Sequence, residues 1–90
     1  MKNDTIFTES RIKMLLRLNS NYRTVFLHKL SKELNITTGT VFKNILFLEK
    51  KGLVYSQKRD RRKYLYLSPK GKEVAWNLLR IKELMEEEWN

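Results

Sequence analysis

Apolar residues recur at helical spacing through the first half of the chain and change to alternation in the second. Ile12, Leu15, Leu16 and Leu18 give the segment after Thr8 one apolar side, which predicts a helix. Thr8 is its N-cap candidate, with Phe7 and Ile12 at the two positions of a hydrophobic staple, and "NSN" at 19–21 ends it. "YRTVF" then reads as a brief extended piece, β-branched at Thr24 and Val25. Leu27, Leu30 and Leu34, spaced i, i+3, i+7, predict a second helix over 27–34, and Asn35 suits its C-terminal cap. A third helix follows almost at once. Thr37 is its N-cap candidate, Ile36 and Val41 form another staple, and Val41, Ile45 and Leu48 share the core face. Gly52 ends that helix after Lys50 and Lys51.

Past Gly52 the period becomes 2. "LVYSQK" and "KYLYLS" predict two short strands around the turn Arg59–Arg62, with Leu65 and Leu67 facing one way and Tyr64 and Tyr66 the other. Ser68-Pro69 opens a last helix over about 69–89, Pro standing at the first helical position where its missing N–H costs nothing. Only two or three residues separate the second and third helices, which forces a sharp crossing, and Ser31 supplies a small side chain there. The order helix, strand, helix, helix, strand, strand, helix predicts an α+β, mostly α fold, a winged helix-turn-helix. With 90 residues a single domain is expected. Its helix-turn-helix spans about 27–51, its wing about 53–68 and its C-terminal helix, read as a dimerisation helix, about 69–89.

Charge sharpens this picture. The chain carries a formal net charge of +9, which favours a polyanionic partner. Residues 51–72 hold eight basic and one acidic side chain, whereas residues 73–90 hold two and five. Five of the cations, Lys58, Arg59, Arg61, Arg62 and Lys63, surround Asp60 in "KRDRRK". Like charges that close repel one another, so the hairpin calls for a counter-charge from outside. A hydrophobic content of 41% with 11% aromatics suffices for a core. The chain has no cysteine, which excludes disulfides and thiolate metal sites. The start "MKNDTIFTES" has no apolar signal region, and no run of 18 apolar residues occurs. A cytoplasmic location is therefore expected, including a host cytoplasm if a virus encodes the chain.

Thr38, Gly39 and Thr40 bring small side chains and backbone N–H groups to the positive end of the third helix, suited to a phosphate or a base edge. Lys43 points away from the core face, and Asn44 is placed to bracket the same groove. Phe42 is open to two readings: packing beside the second helix or the wing, or apolar contact with a thymine methyl. Leu46 and Phe47 are expected to pack. In the wing, Asp60 is expected to hold the turn through Arg62 or a nearby N–H, leaving Lys58, Arg59, Arg61 and Lys63 for phosphates or a narrowed minor groove. Val74, Leu78, Ile81 and Met85 at 4-3-4 spacing form a coiled-coil seam, read with Ile12 and Leu16 as a dimer interface. The run Glu86-Glu87-Glu88 is expected to face basic residues of a partner subunit. His28 stands alone, and no Gly-rich phosphate loop or carboxylate cluster suggests catalysis, metal or cofactor.

"KLSKELNITTGTVFKNILFLEKKGLV" followed by "RDRRKYLYLSPKGKEV" resembles the DNA-binding core of MarR-family transcriptional regulators. The shared features are the "LSKELNIT" helix and turn, the "TV" opening of the next helix, "LEKKGLV", the D-x-R wing and the "LSPKG" helix start, together covering about residues 27–75. The resemblance implies a homodimer on a roughly palindromic duplex, with the recognition helix in the major groove and the wing at the minor groove. In size the chain is similar to short winged-helix regulators of archaea and their viruses. The family's extra terminal helices are missing, which argues against a small-molecule effector. The expected function is sequence-specific binding of double-stranded DNA as a homodimeric transcriptional regulator, and not an enzyme. Two alternatives stay open: an architectural protein of weak sequence preference, and a protein-interaction module. RNA binding is less favoured, since basic and aromatic residues interleave little beyond Tyr64 and Tyr66.

Overall fold

The computed structural model describes residues 4–20 and 25–85. The elements run α1 (Glu9–Asn19), β1 (Val25–Phe26), α2 (Leu27–Leu34), α3 (Thr38–Lys50), β2 (Val54–Arg59), β3 (Arg62–Leu67) and α4 (Pro69–Met85). This is the expected order, and the strands form one antiparallel sheet, β1-β3-β2. The sequence-predicted end of α4 and the Glu86–Glu88 run lie outside the described residues.

Local signals set the helix ends. Thr8 caps α1 by accepting from the Arg11 N–H, and Thr37 caps α3 by accepting from the Thr40 N–H. Asn35 sits in the left-handed region with φ 56°, and the N–H groups of Asn35 and Ile36 donate back to the Lys32 and Ser31 carbonyls. Gly52, at φ 76°, repeats the device after α3, where Gly52 and Leu53 donate to the Glu49 and Leu48 carbonyls. Both helices therefore stop in a way that reverses the chain within a few residues. The buried Ser31 hydroxyl donates to the Ile36 carbonyl, which seals the α2–α3 crossing.

The core draws one buried side from every element. Met14 and Leu15 of α1, Leu30 of α2, and Val41, Ile45 and Leu48 of α3 are fully enclosed. Val25, Val54, Leu65 and Leu67 roof them from the sheet's inner side, and Ala75 and Leu78 close the core from α4. Met14 was not singled out by the sequence pattern, whereas Phe7 is exposed, so the staple at α1 does not close. At the root of α4, the Ser68 hydroxyl accepts from the Gly71 N–H and donates to the Gly52 carbonyl. That serine joins the end of α3, the start of β2 and the start of α4 in one corner.

Two expectations about α4 are corrected. Ile12 and Leu78 belong to the subunit's own core, and Leu16 and Val74 pack against it, so the 4-3-4 seam is split. Helix α1 lies along α4 and covers its first half. The second half, at Ile81, Leu84 and Met85, remains as an exposed apolar face, and Trp76 in the first half is exposed as well. No described helix is long and apolar enough to cross a membrane.

Candidate nucleic-acid interface

Helix α3 and the β2–β3 hairpin lie side by side. The Ser56 hydroxyl donates to Glu49 at 2.8 Å near the hairpin's root. The Lys63 ammonium stands 5.2 Å from the Phe42 ring centre nearer its tip. With one tie at each end, the first half of α3 and the wing tip point the same way. Thr38, Gly39, Phe42 and Lys43 are exposed along this edge, and Thr40 is half-buried. A methyl group added at Gly39 would meet nothing within 4 Å. Glycine costs a helix about 1 kcal/mol relative to alanine, and packing within the subunit gives no reason for it there. Phe42 resolves toward packing beside the wing, although 45% of it stays exposed.

Asn44 is not a groove residue. It is buried, its Oδ1 accepts from Arg11 Nε at 3.0 Å, and its Nδ2 donates to the Ser10 hydroxyl at 2.9 Å. Arg11 also donates to the Thr5 carbonyl and lies 3.7 Å above the Phe47 ring centre. The i+3 position from Val41 falls on the edge of the core face, and a buried guanidinium there requires an acceptor. Asn44 supplies it and fixes the rotation of α3 against α1. Replacing Asn44 by leucine leaves the Arg11 Nε–H without that partner and should cost about 3 kcal/mol. Urea denaturation reads this as a lower midpoint at unchanged slope; an unchanged midpoint would refute it. Leu46 is likewise corrected, being exposed rather than packed, whereas Phe47 packs as expected.

The wing turns at Asp60 and Arg61, with φ of 51° and 68°. Positive φ at both central residues is the mark of a two-residue type I′ hairpin. Asp60 does not pair with Arg62: among the described residues it enters no ion pair, and its contribution is tolerance of the left-handed backbone. Arg61 tolerates that backbone poorly, and glycine is the usual residue there. A strained arginine kept at an exposed tip suggests a use for its side chain.

Four of the five wing cations divide between two faces because strand side chains alternate, and Arg61 stands in the turn between them. Lys58 pairs with Lys63 on the α3 side of the hairpin, and Arg59 pairs with Arg62 on the opposite side. Arg62 lies 4.5 Å from the Phe26 ring centre rather than on Asp60. Arg59 lies 4.6 Å from the Tyr64 ring centre and donates to the Tyr66 hydroxyl at 2.9 Å. The side chains of Lys43, Lys58 and Arg61 are exposed and enter none of the ion pairs or side-chain hydrogen bonds among the described residues. No group of three or more acidic or histidine side chains that could hold a metal occurs among the described residues.

No family model matches the chain, and no curated protein matches it. Solved structures do. A protein of Archaeoglobus fulgidus, AF1382, superposes with a TM-score of 0.84 at 20% identity, over 98% of this chain and 100% of its own. F-93 of SSV1 superposes with a TM-score of 0.72 at 28% identity, over 91% of this chain and 94% of its own. A MarR transcriptional regulator from Methanosarcina mazei Go1 gives 0.74 at 27% identity, over 82% of this chain but 50% of the regulator. In fold the chain is a MarR-like winged helix-turn-helix protein.

Proposed function

We propose that this chain is a transcriptional regulator that binds double-stranded DNA as a homodimer, with α3 in the major groove and the wing at the minor groove. The observation that carries the reading is the pairing of Phe42 with Lys63 and of Glu49 with Ser56. It aims the free cations Lys43, Lys58 and Arg61 from one edge, where a duplex can meet a helix and a hairpin together. The resemblance to the Methanosarcina mazei regulator supports the same assignment. Thr38, Gly39, Thr40 and Phe42 would approach bases and phosphates at the tip of α3, while Lys58 and Arg61 would hold the backbone. No catalytic role is assigned.

Selection of bound duplexes from a random pool tests the reading. An enriched palindrome is expected; an unenriched pool would favour an architectural protein. On the selected site, Lys43→Ala should change the preference at one base pair by about 1–3 kcal/mol. Arg61→Gly should instead weaken all sequences about equally, and its melting temperature should hold or rise because the left-handed backbone strain is relieved. Loss of duplex affinity in neither variant would sink the assignment.

The subunit contact is assigned to the second half of α4, where Leu84 is 73% and Met85 63% exposed. A helix end carrying Ile81, Leu84 and Met85 in water invites a second copy. Sedimentation of the native chain at micromolar concentration should show a dimer, and Ile81→Lys with Leu84→Lys a monomer. A native monomer would refute the contact.

A further inference from the structure

The side of the sheet turned away from α3 has a composition that neither the core nor the duplex reading uses. The register pairs Phe26 with Tyr64, Tyr55 with Tyr66 and Arg59 with Arg62. Alternation therefore places all six on the outer face, opposite the buried Val25, Val54, Leu65 and Leu67. Tyr55 and Tyr66 stack with ring centres 5.2 Å apart and planes 23° from parallel. Phe26 meets Tyr64 edge-on at 5.9 Å. Arg62 lies over Phe26, and Arg59 lies over Tyr64. No outward position of the three strands is acidic. A solvated antiparallel face ordinarily alternates to polar residues, and four half-exposed rings interleaved with arginines depart from that.

We propose that this outer face is a second nucleic-acid site, separate from the duplex-facing edge, that takes single-stranded DNA. Aromatic rings accept any base by stacking, and arginines beside them accept the phosphates. Rings at alternate positions of one strand stand about 6.8 Å apart, twice the rise of about 3.4 Å per base in a duplex strand. The array therefore matches an unstacked single strand and not a double helix. Tyr55 is the entry platform, since it is 49% exposed and holds one ring neighbour. Continuity argues for DNA as the occupant. The Lys58–Lys63 pair and the Arg59–Arg62 pair are adjacent rungs of one hairpin, so a strand parted from a duplex at the wing tip would pass from one face to the other around Arg61.

The test titrates the full-length chain into labelled oligothymidylate about 16 nucleotides long, the upper end of single-strand site sizes for small domains. Tyr55→Leu keeps an apolar side chain but removes the ring, and should lower oligothymidylate affinity about 10-fold. Tyr55→Phe should retain wild-type affinity, and both variants should keep the wild-type melting temperature and duplex affinity. Oligothymidylate should also bind the chain already saturated with duplex. Equal affinity for oligouridylate or for polyglutamate of matched length would overturn the proposal, assigning the face to RNA or to an acidic protein. Displacement of oligothymidylate by duplex, or indifference to Tyr55→Leu, would overturn it as well. Failure of the duplex reading would show separately, in Lys43→Ala and Arg61→Gly.

Discussion

Gly71→Ala is expected to destabilise the domain by about 3 kcal/mol, although alanine is the better helix former by about 1 kcal/mol. A methyl group built on Gly71 falls 1.9 Å from the Leu53 carbonyl oxygen and 2.8 Å from its carbon. Both atoms are main chain, and the same oxygen accepts from the Ser68 N–H at 2.9 Å. Neither can swing aside as a flexible side chain could. The first turn of α4 must lift from the start of β2, and the buried Ala75 and Leu78 that follow on the same helix lift with it. For a domain of this size a loss of about 3 kcal/mol lowers the melting temperature by about 15 °C. Thermal unfolding followed by circular dichroism decides the matter, since helix propensity alone predicts the opposite sign. The neighbouring Lys72→Ala serves as a control, because that side chain is exposed and little change is expected.

Duplex affinity should fall about 10³-fold between 50 and 200 mM salt, with a log–log slope near −5. The figure follows from the three exposed cations Lys43, Lys58 and Arg61 in each subunit, six in a dimer, with each contact releasing about 0.9 of a counterion. Arg59 and Arg62 are left out because they lie on aromatic rings of the outer face. Their inclusion would raise the slope to about −9, and a single subunit acting alone would halve it to about −3. One titration series in salt therefore reads both the stoichiometry and the faces used. A slope shallower than about −2 would leave the basic hairpin without the role proposed for it.

The outline of the fold was legible because its signals are local. Spacing of Leu27, Leu30 and Leu34, capping by Thr8 and Thr37, and the stop at Gly52 each depend on residues within one or two helical turns. The alternation of Leu65 and Leu67 with Tyr64 and Tyr66 was legible for the same reason, and those leucines are buried. Asn44 was misread because one helix shows only which face is polar. It does not show that an arginine 33 residues earlier will be packed against that face. The α4 seam was misread in the same manner: a heptad pattern looks alike whether α1 or a second subunit covers it. Gly71 was passed over as part of a helix start, since the carbonyl that excludes a side chain comes from Leu53.

The amino-acid sequence alone determined the order of the elements, their ends, the sidedness of the hairpin and the concentration of charge in residues 51–72. These follow from periodicity and from backbone preferences that act over a few bonds. The tertiary structure alone decided that α3 and the wing tip share an edge, that Asn44 serves the core, and that the wing's cations divide between two faces. Those outcomes depend on contacts between elements remote in sequence, where burial and steric exclusion choose among partners that look alike along a single strand or helix.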